Sequence, residues 1–182
     1  MLLDEKKIGS ELKYSGILVD VKVDNVELSN GLIAKREVVC HNGGVGILPV
    51  DNNGFCYLVK QFRYAADRVM LEIPAGICEE NEKPADCALR ELSEETGIVC
   101  HHIADLGEFF LSPGYLTETL HIFLGTDLQF GTAHPDNNEL ISMEKIHISE
   151  LMGKVGRGEI TDIKTVLAAM IYSSNMLKDN PG

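Results

Sequence analysis

Apolar runs of membrane length are missing from this chain: nowhere does the sequence hold the roughly 18 consecutive hydrophobic residues that a spanning helix needs. The opening stretch "MLLDEKKIGSELK" is charged throughout and lacks the apolar core of a secretory signal, so the expectation is a cytoplasmic protein with no membrane partner. Cys-x-x-Cys pairs are also absent. The five cysteines (Cys40, Cys56, Cys78, Cys87, Cys100) are odd in number and read as buried thiols of a reducing compartment rather than a disulfide framework. Basic residues are scarce, 16 Lys and Arg against 28 Asp and Glu, for a formal net charge of −12. That balance, without a basic stripe, excludes a polyanion-binding surface and hence a nucleic-acid partner. Walker and Rossmann glycine motifs, a local Ser-His-Asp or Cys-His arrangement, internal repeats and low-complexity segments are missing as well.

The elements that are present alternate between turn signals and β-rich runs. "VKVDNVELSNGLIAKREVV" brackets Ser29-Asn30-Gly31 with two strands, a hairpin pattern. "GVGILPVDNNGFCYLVKQF" repeats the arrangement around Asp51–Gly54, and Val45 to Val50 is apolar on both faces, as a central strand is. "RVMLEIPAG", "GEFFLS", "TETLHIFLGTDL" and "LISMEKIHI" read as further strands, "SELMGKV" and "DIKTVLAAMIYSSNML" as helices. Strands around a few helices without regular βαβ alternation predict an α+β fold, an α/β/α sandwich with a mixed sheet. Only "KDNPG" resembles a loose tail.

One helix stands out. Pro84 suits its first turn and Gly97 its C′ position, while Ala85, Ala88, Leu89 and Leu92 recur at the spacing of an inward face. Glu91, Glu94 and Glu95 are expected to point largely away from that face, and like charges at these spacings cost roughly 0.2–0.5 kcal/mol per pair. A hard divalent cation bound by carboxylate oxygens would remove the repulsion and offer a positive centre to a small anion. The off-face acids Glu79, Glu80 and Asp86 read as a solvated surface, and Cys78 and Cys87 as core.

Gly76, five residues, Glu82, seven residues, then Arg90-Glu91-Leu92-x-Glu94-Glu95-x-Gly97-Ile98 matches the Nudix box at every specified position. The chain thus resembles the Nudix hydrolases, and "LEIPAG" before the box with "LSPGYLTE" after it, Pro113 lying 16 residues beyond Gly97, resembles their ADP-ribose pyrophosphatase branch. The resemblance implies metal-dependent hydrolysis of ADP-ribose or a related nucleoside diphosphate sugar to AMP and ribose 5-phosphate. Mg²⁺ is the implied cofactor, with Mn²⁺ or another divalent cation as substitute. Implied metal ligands are the Ala75 carbonyl, Glu91, Glu94, Glu95 and Glu139, with Gly76, Glu82, Arg90 and Gly97 as structural positions of the box. Implied substrate contacts are Arg36, Glu37 and His41 in "REVVCH", Gln61 and Arg63 in "QFR", and Ser112, Pro113, Gly114 and Glu118. The expected organisation is a β-rich extension at 1–41 that makes a homodimer, a Nudix domain at 42–177 and a tail at 178–182.

Two departures stand against the branch. "GILVD" puts Ile17 and Leu18 where relatives often carry an aromatic residue for adenine, and Asn137 falls on the usual general-base position. Asn137 cannot accept a proton at neutral pH, which leaves Glu94, Glu139 and Asp136 as alternatives. Rival readings are a Nudix pyrophosphatase for a GDP-hexose, NADH or a nucleoside triphosphate, and a non-catalytic ADP-ribose sensor. Of the histidines, His101, His102 and His121 read as surface or packing residues, and His134 as the one nearest the acidic site.

Overall fold

The computed structural model describes residues 3–135 and 140–179. Its contacts divide the chain into two compact units, Met1–Gly43 with Phe110–Thr119, and Gly44–Phe109 with Leu120–Gly182.

The first unit is a three-stranded antiparallel sheet in the order β1 (Glu5–Ser15), β2 (Asp20–Leu28), β3 (Ile33–Cys40). The Asn30-Gly31 turn closes β2 onto β3, with Gly31 at φ 82° and its N–H on the Leu28 carbonyl at 2.8 Å. Little of this sheet is covered: Val26 is its one buried hydrophobic residue, while Ile8, Leu12, Tyr14 and Ile33, and Leu18 and Leu32 in its turns, are all exposed. The segment Ser112–Thr117 docks on β3 through Val39 N–H to Tyr115 O (2.7 Å) and Thr117 N–H to Val39 O (3.0 Å).

The second unit contains β4 (Gly44–Pro49), β5 (Phe55–Arg63), β6 (Arg68–Glu72), β7 (Ala75–Gly76), α1 (Pro84–Thr96), β8 (Ile98–Phe110), β9 (Thr119–Phe130), β10 (Ile141–His147), α2 (Ile148–Gly156) and α3 (Ile163–Asp179). One sheet runs β7-β4-β9-β8 with β4 and β9 parallel, and the other runs β10-β5-β6 with antiparallel pairs. The expected mixed α/β fold is therefore present. All six residues of β4 are buried, as their two-sided apolar pattern requires. The expected second hairpin is not a hairpin. Gly54 N–H does close a turn on Asp51 O at 3.0 Å, but β4 and β5 then enter different sheets and share only the Val50–Cys56 bridge. A turn signal specifies the reversal of the chain, not the partner each strand takes.

Helix α1 begins at Pro84 and ends on Gly97, which is left-handed at φ 70° and donates its N–H to Ser93 O at 2.8 Å. Cys87, Ala88 and Leu92 pack with Val45, Ile47, Tyr57, Ile98, Cys100 and Phe123 into the core. Burying such side chains stabilises by about 1.5–3 kcal/mol each for the larger ones. A Cβ on Gly97 would fall 2.6 Å from Ala133 N and 2.8 Å from Gly131 O, both backbone atoms. Positive φ and a backbone clash together make Gly97→Ala destabilising by at least about 1–3 kcal/mol. Thermal unfolding should register a fall in Tm of about 2 °C or more, and an unchanged Tm would mean the 131–133 segment does not hold this position.

Candidate functional site

The acidic end of α1 faces the two-residue strand β7, which is held against β4 by the pairs Val45–Gly76 and Gly46–Ala75. Glu95 is not on the exposed side as the sequence reading expects; it is 5% exposed, and its Oε2 accepts the Ala75 N–H at 3.1 Å. The reason is proximity: β7 covers that side of the helix, and a carboxylate there replaces its water with a backbone donor. Glu91 lies against Gly76 so closely that a Cβ at Gly76 would stand 2.0 Å from the Glu91 Cδ. Glu94 is the most exposed of the three.

Arg90 binds this cluster together. Its Nε and Nη2 donate to Glu82 Oε1 and Oε2, both at 2.9 Å, and its Nη1 donates to Glu91 Oε1 at 2.8 Å and Glu94 Oε2 at 2.9 Å. The guanidinium holds the Glu82 carboxyl down at about 2, helped by the Glu79 N–H on Oε2. Arg90 is itself raised above its ordinary range, first by Glu82.

Arg63, Ala75, Gly76, Ile77, Glu79, Arg90, Glu91 and Glu94 line one cleft of about 370 Å³. Arg63 enters it from the end of β5. Its Nε and Nη2 form a fork–fork pair with Glu72 at 2.8 Å each, and Glu72 is only 1% exposed. Lys164 Nζ meets Glu72 at 2.8 Å and Asp162 at 2.6 Å; Asp162 accepts from Thr165 N and Oγ1, and Thr165 Oγ1 accepts the Ile73 N–H at 2.8 Å. With two cations beside it, Glu72 stays below the usual carboxylate range despite a burial that opposes this. Sequence reading missed Glu72, Asp162, Lys164 and Thr165. The available signal was an acid inside the otherwise apolar "VMLEIP" run, because such an acid must be paired.

Other expected residues belong to the first unit. Arg36 is engaged by Glu5 (Nε–Oε2 2.9 Å, Nη2–Oε1 2.5 Å) and lines a cavity of about 360 Å³ with Pro113, Gly114 and Tyr115. Glu37 is exposed on β3. His41 N–H donates to Thr117 Oγ1 at 2.9 Å, and His41 Nδ1 accepts the Gly43 N–H at 3.1 Å, with Glu118 Oε1 at 3.9 Å. Ser112 O accepts the N–H groups of Tyr115 and Leu116, closing the Ser-Pro-Gly turn. His134 N–H donates to Glu94 O at 2.9 Å. Asp136, Asn137 and Glu139 lie outside the described residues.

The acceptors here are all oxygen: the Glu91 and Glu94 carboxylates line the cleft beside the Ala75–Gly76 backbone, and Glu95 lies behind them on the Ala75 N–H. That is the chemistry hard divalent cations take. The space left by the missing Cβ of Gly76 is what lets Glu91 approach the strand, so the residues present fit such a cation.

Residues 41–166 match the family described as NUDIX domain. The chain belongs to the Nudix family. Within it, the chain is 38% identical over 168 residues to the ADP-ribose pyrophosphatase of Bacillus subtilis, covering 91% of each protein. It is 37% identical over 169 residues to the methanol dehydrogenase activator of Bacillus methanolicus, covering 92% of this chain and 91% of that one. A crystal structure of an ADP compounds hydrolase superposes with a TM-score of 0.85 over 98% of this chain and 97% of that one, at 19% identity, a likeness of fold. This Nudix protein is accordingly a pyrophosphohydrolase.

Two predictions follow from the Nudix helix. Gly76→Ala pushes on the movable end of Glu91, so stability should change by less than about 1 kcal/mol, some 2–4 °C in Tm. Activity should fall roughly 100-fold, the size of loss that a displacement of about 1 Å in a site brings; wild-type turnover in this variant would break the link between Gly76 and Glu91. For Glu82, the folded carboxyl near 2 lies below the ordinary 4.5, so its contribution is fully present above 4.5 and is lost as pH falls toward 2. The stability gap between wild type and Glu82→Gln, read by chemical denaturation, should be constant from neutral pH to about 5 and close toward pH 2; a gap that widens in acid would contradict the pairing with Arg90.

Proposed function

We propose that this Nudix pyrophosphohydrolase cleaves ADP-ribose, or a closely related nucleoside diphosphate sugar, to AMP and ribose 5-phosphate. One observation carries the reading: a polar cleft in which Arg63, Arg90, Glu91 and Glu94 converge on the Ala75–Gly76 backbone, in a chain extensively similar to an ADP-ribose pyrophosphatase. Arg36, Glu37, His41, Ser112, Pro113, Gly114 and Glu118 are assigned to substrate contact.

Glu91, Glu94, Glu95 and the Ala75 carbonyl would hold divalent cations, Mg²⁺ foremost, which offset the charge of the pyrophosphate and polarise its oxygens. The chain's own groups do the remaining work. Arg63, held in place by Glu72 through Nε and Nη2, offers its Nη1 to a phosphate oxygen. Arg90 keeps Glu91 and Glu94 from swinging. A water oxygen attacks one phosphorus while the bond from that phosphorus to the bridging oxygen breaks, and Glu94 accepts the proton the water loses. With Asn137 at the branch's usual base position, Glu94 is the base that the described residues offer.

The exposed apolar residues of the first unit's sheet support a homodimer made through it. A reducing cytoplasm fits the five free thiols.

Product analysis over ADP-ribose, GDP-mannose, NADH and a nucleoside triphosphate should give the highest kcat/KM, with AMP as product, for ADP-ribose; preference for a GDP-hexose would move the substrate and leave the chemistry. Glu94→Gln should lower kcat roughly 100- to 10,000-fold, and near-normal kcat would pass the role of base to another carboxylate. Mg²⁺ should raise the Tm of wild type but not of Glu91→Gln/Glu95→Gln, an equal shift in both showing that these carboxylates do not hold it. Light scattering should give a dimer, and a fully active monomer would remove dimerisation from the account.

A further inference from the structure

Two thiols and a carboxylate meet at the start of the Nudix helix, and the hydrolysis uses neither thiol. Cys78 follows β7, Glu82 ends the next turn, and Cys87 lies one turn into α1; their ligand atoms all fall within 4.8 Å of one another. The turn is built to bring them there. Asn81 is left-handed at φ 65°, Glu82 N–H donates to Glu79 O at 3.0 Å, and Glu79 N–H returns to Glu82 Oε2 at 2.9 Å. Cys87 is fully buried while Cys78 and Glu82 are each partly exposed, so solvent reaches the group from their side. The three ligand atoms leave room for an ion between them and bring both thiols to one side of the Glu82 carboxylate.

We propose that Cys78, Glu82 and Cys87 form a second cation site, selective for a thiophilic divalent ion of which zinc is the best fit. Zinc takes sulfur at about 2.3 Å and carboxylate oxygen at about 2.0–2.2 Å. A tetrahedral centre therefore asks its donors to stand roughly 3.3–3.8 Å apart, a spacing that atoms all within 4.8 Å of one another reach by side-chain rotation. Water reaching the Cys78 side completes the four. Two thiolate ligands distinguish this site from the oxygen-lined cleft: sulfur favours zinc and disfavours Mg²⁺.

The charge balance permits it. Arg90 contributes one positive charge against the negative charges of Glu82, Glu91 and Glu94, all within 2.9 Å of its nitrogens, so the surroundings are already net negative. When zinc enters, the two S–H bonds break, both protons leave to solvent and two Zn–S bonds form, so the formal charge of the cluster is unchanged. Glu82 is the link to activity. Its oxygens hold the Arg90 fork, and Arg90 Nη2 also lies 3.5 Å from Cys87 Sγ. A cation there competes with Arg90 for Glu82 and loosens the guanidinium that steadies Glu91 and Glu94. The site is thus a brake on the enzyme, separate from its catalytic cations.

The test titrates the reduced, full-length protein with Co²⁺, a spectroscopic stand-in for zinc, and reads the near-ultraviolet absorption of thiolate-to-cobalt charge transfer, which carboxylate ligation does not produce. Wild type should gain the band and Cys78→Ser should not, with Cys78→Ala as a second variant and far-ultraviolet circular dichroism to verify that each is folded. Low zinc added to the Mg²⁺-supported reaction should slow wild type and spare Cys78→Ser, whose activity without zinc stays at the wild-type level. No band in wild type, or the same band in both Cys78 variants, would overturn the proposal, as would equal zinc inhibition of wild type and variants.

Discussion

The guanidinium of Arg90 is the point on which the Nudix helix depends. A helix carrying Glu91, Glu94 and Glu95 within one turn repels itself, yet the same helix supplies the charge that relieves it. Arg90 reaches back to Glu82 and across to Glu91 and Glu94, so one cation ties the loop, the helix and two carboxylates together. Glu95 is relieved differently, through the Ala75 N–H. The acidic cluster is therefore organised by the protein's own groups, so the geometry of the proposed cation site is set in folding. Such preorganisation matters because the entropy of gathering four charged side chains is spent in folding rather than in catalysis.

A second ionic network supports the opposite wall. Glu72 is nearly sealed from water and could not remain ionised alone; Arg63 and Lys164 make it tolerable, and Asp162 and Thr165 extend the chain of bonds to the Ile73 N–H. Removing one partner from such a buried set typically costs 3–5 kcal/mol, since the other charge is left uncompensated. The network joins α3 to the segment that enters β7, so the position of Ala75 depends on a helix 90 residues further along the chain, as the 92-residue separation of Ile73 and Thr165 shows.

The parts legible in the sequence were those governed by local rules. Pro84 and Gly97 delimit α1 because proline suits a first turn and glycine a left-handed cap, and Asn30-Gly31 closes β2 onto β3 for the same kind of reason. What escaped was non-local. Asp51–Gly54 turns the chain as expected, but the destination of each strand is decided by β9 and β10, far along the sequence. Glu95 follows the helical wheel only until β7 covers it. The Glu72 network joins residues whose spacing has no local period, and the Cys78–Glu82–Cys87 group appears only when the turn at Asn81 folds the loop back. Side chains of one helix can be placed from its sequence; the element that packs over them cannot.

The parallel pairing of β4 with β9 has a consequence for how the chain is made. Val45 sits opposite His121, 76 residues later by their numbers, so the most apolar strand emerges from the ribosome well before its main partner. At about 5–20 residues per second the wait is roughly 4–15 s. Contacts of this range also slow folding, since a long loop must close before the pairing repays it. Through that interval "GVGILP" lacks its β9 partner, and the edge left open could template association with another chain. Pro49 ends the strand with a residue that donates no backbone hydrogen bond, shortening the edge open to a wrong partner during synthesis.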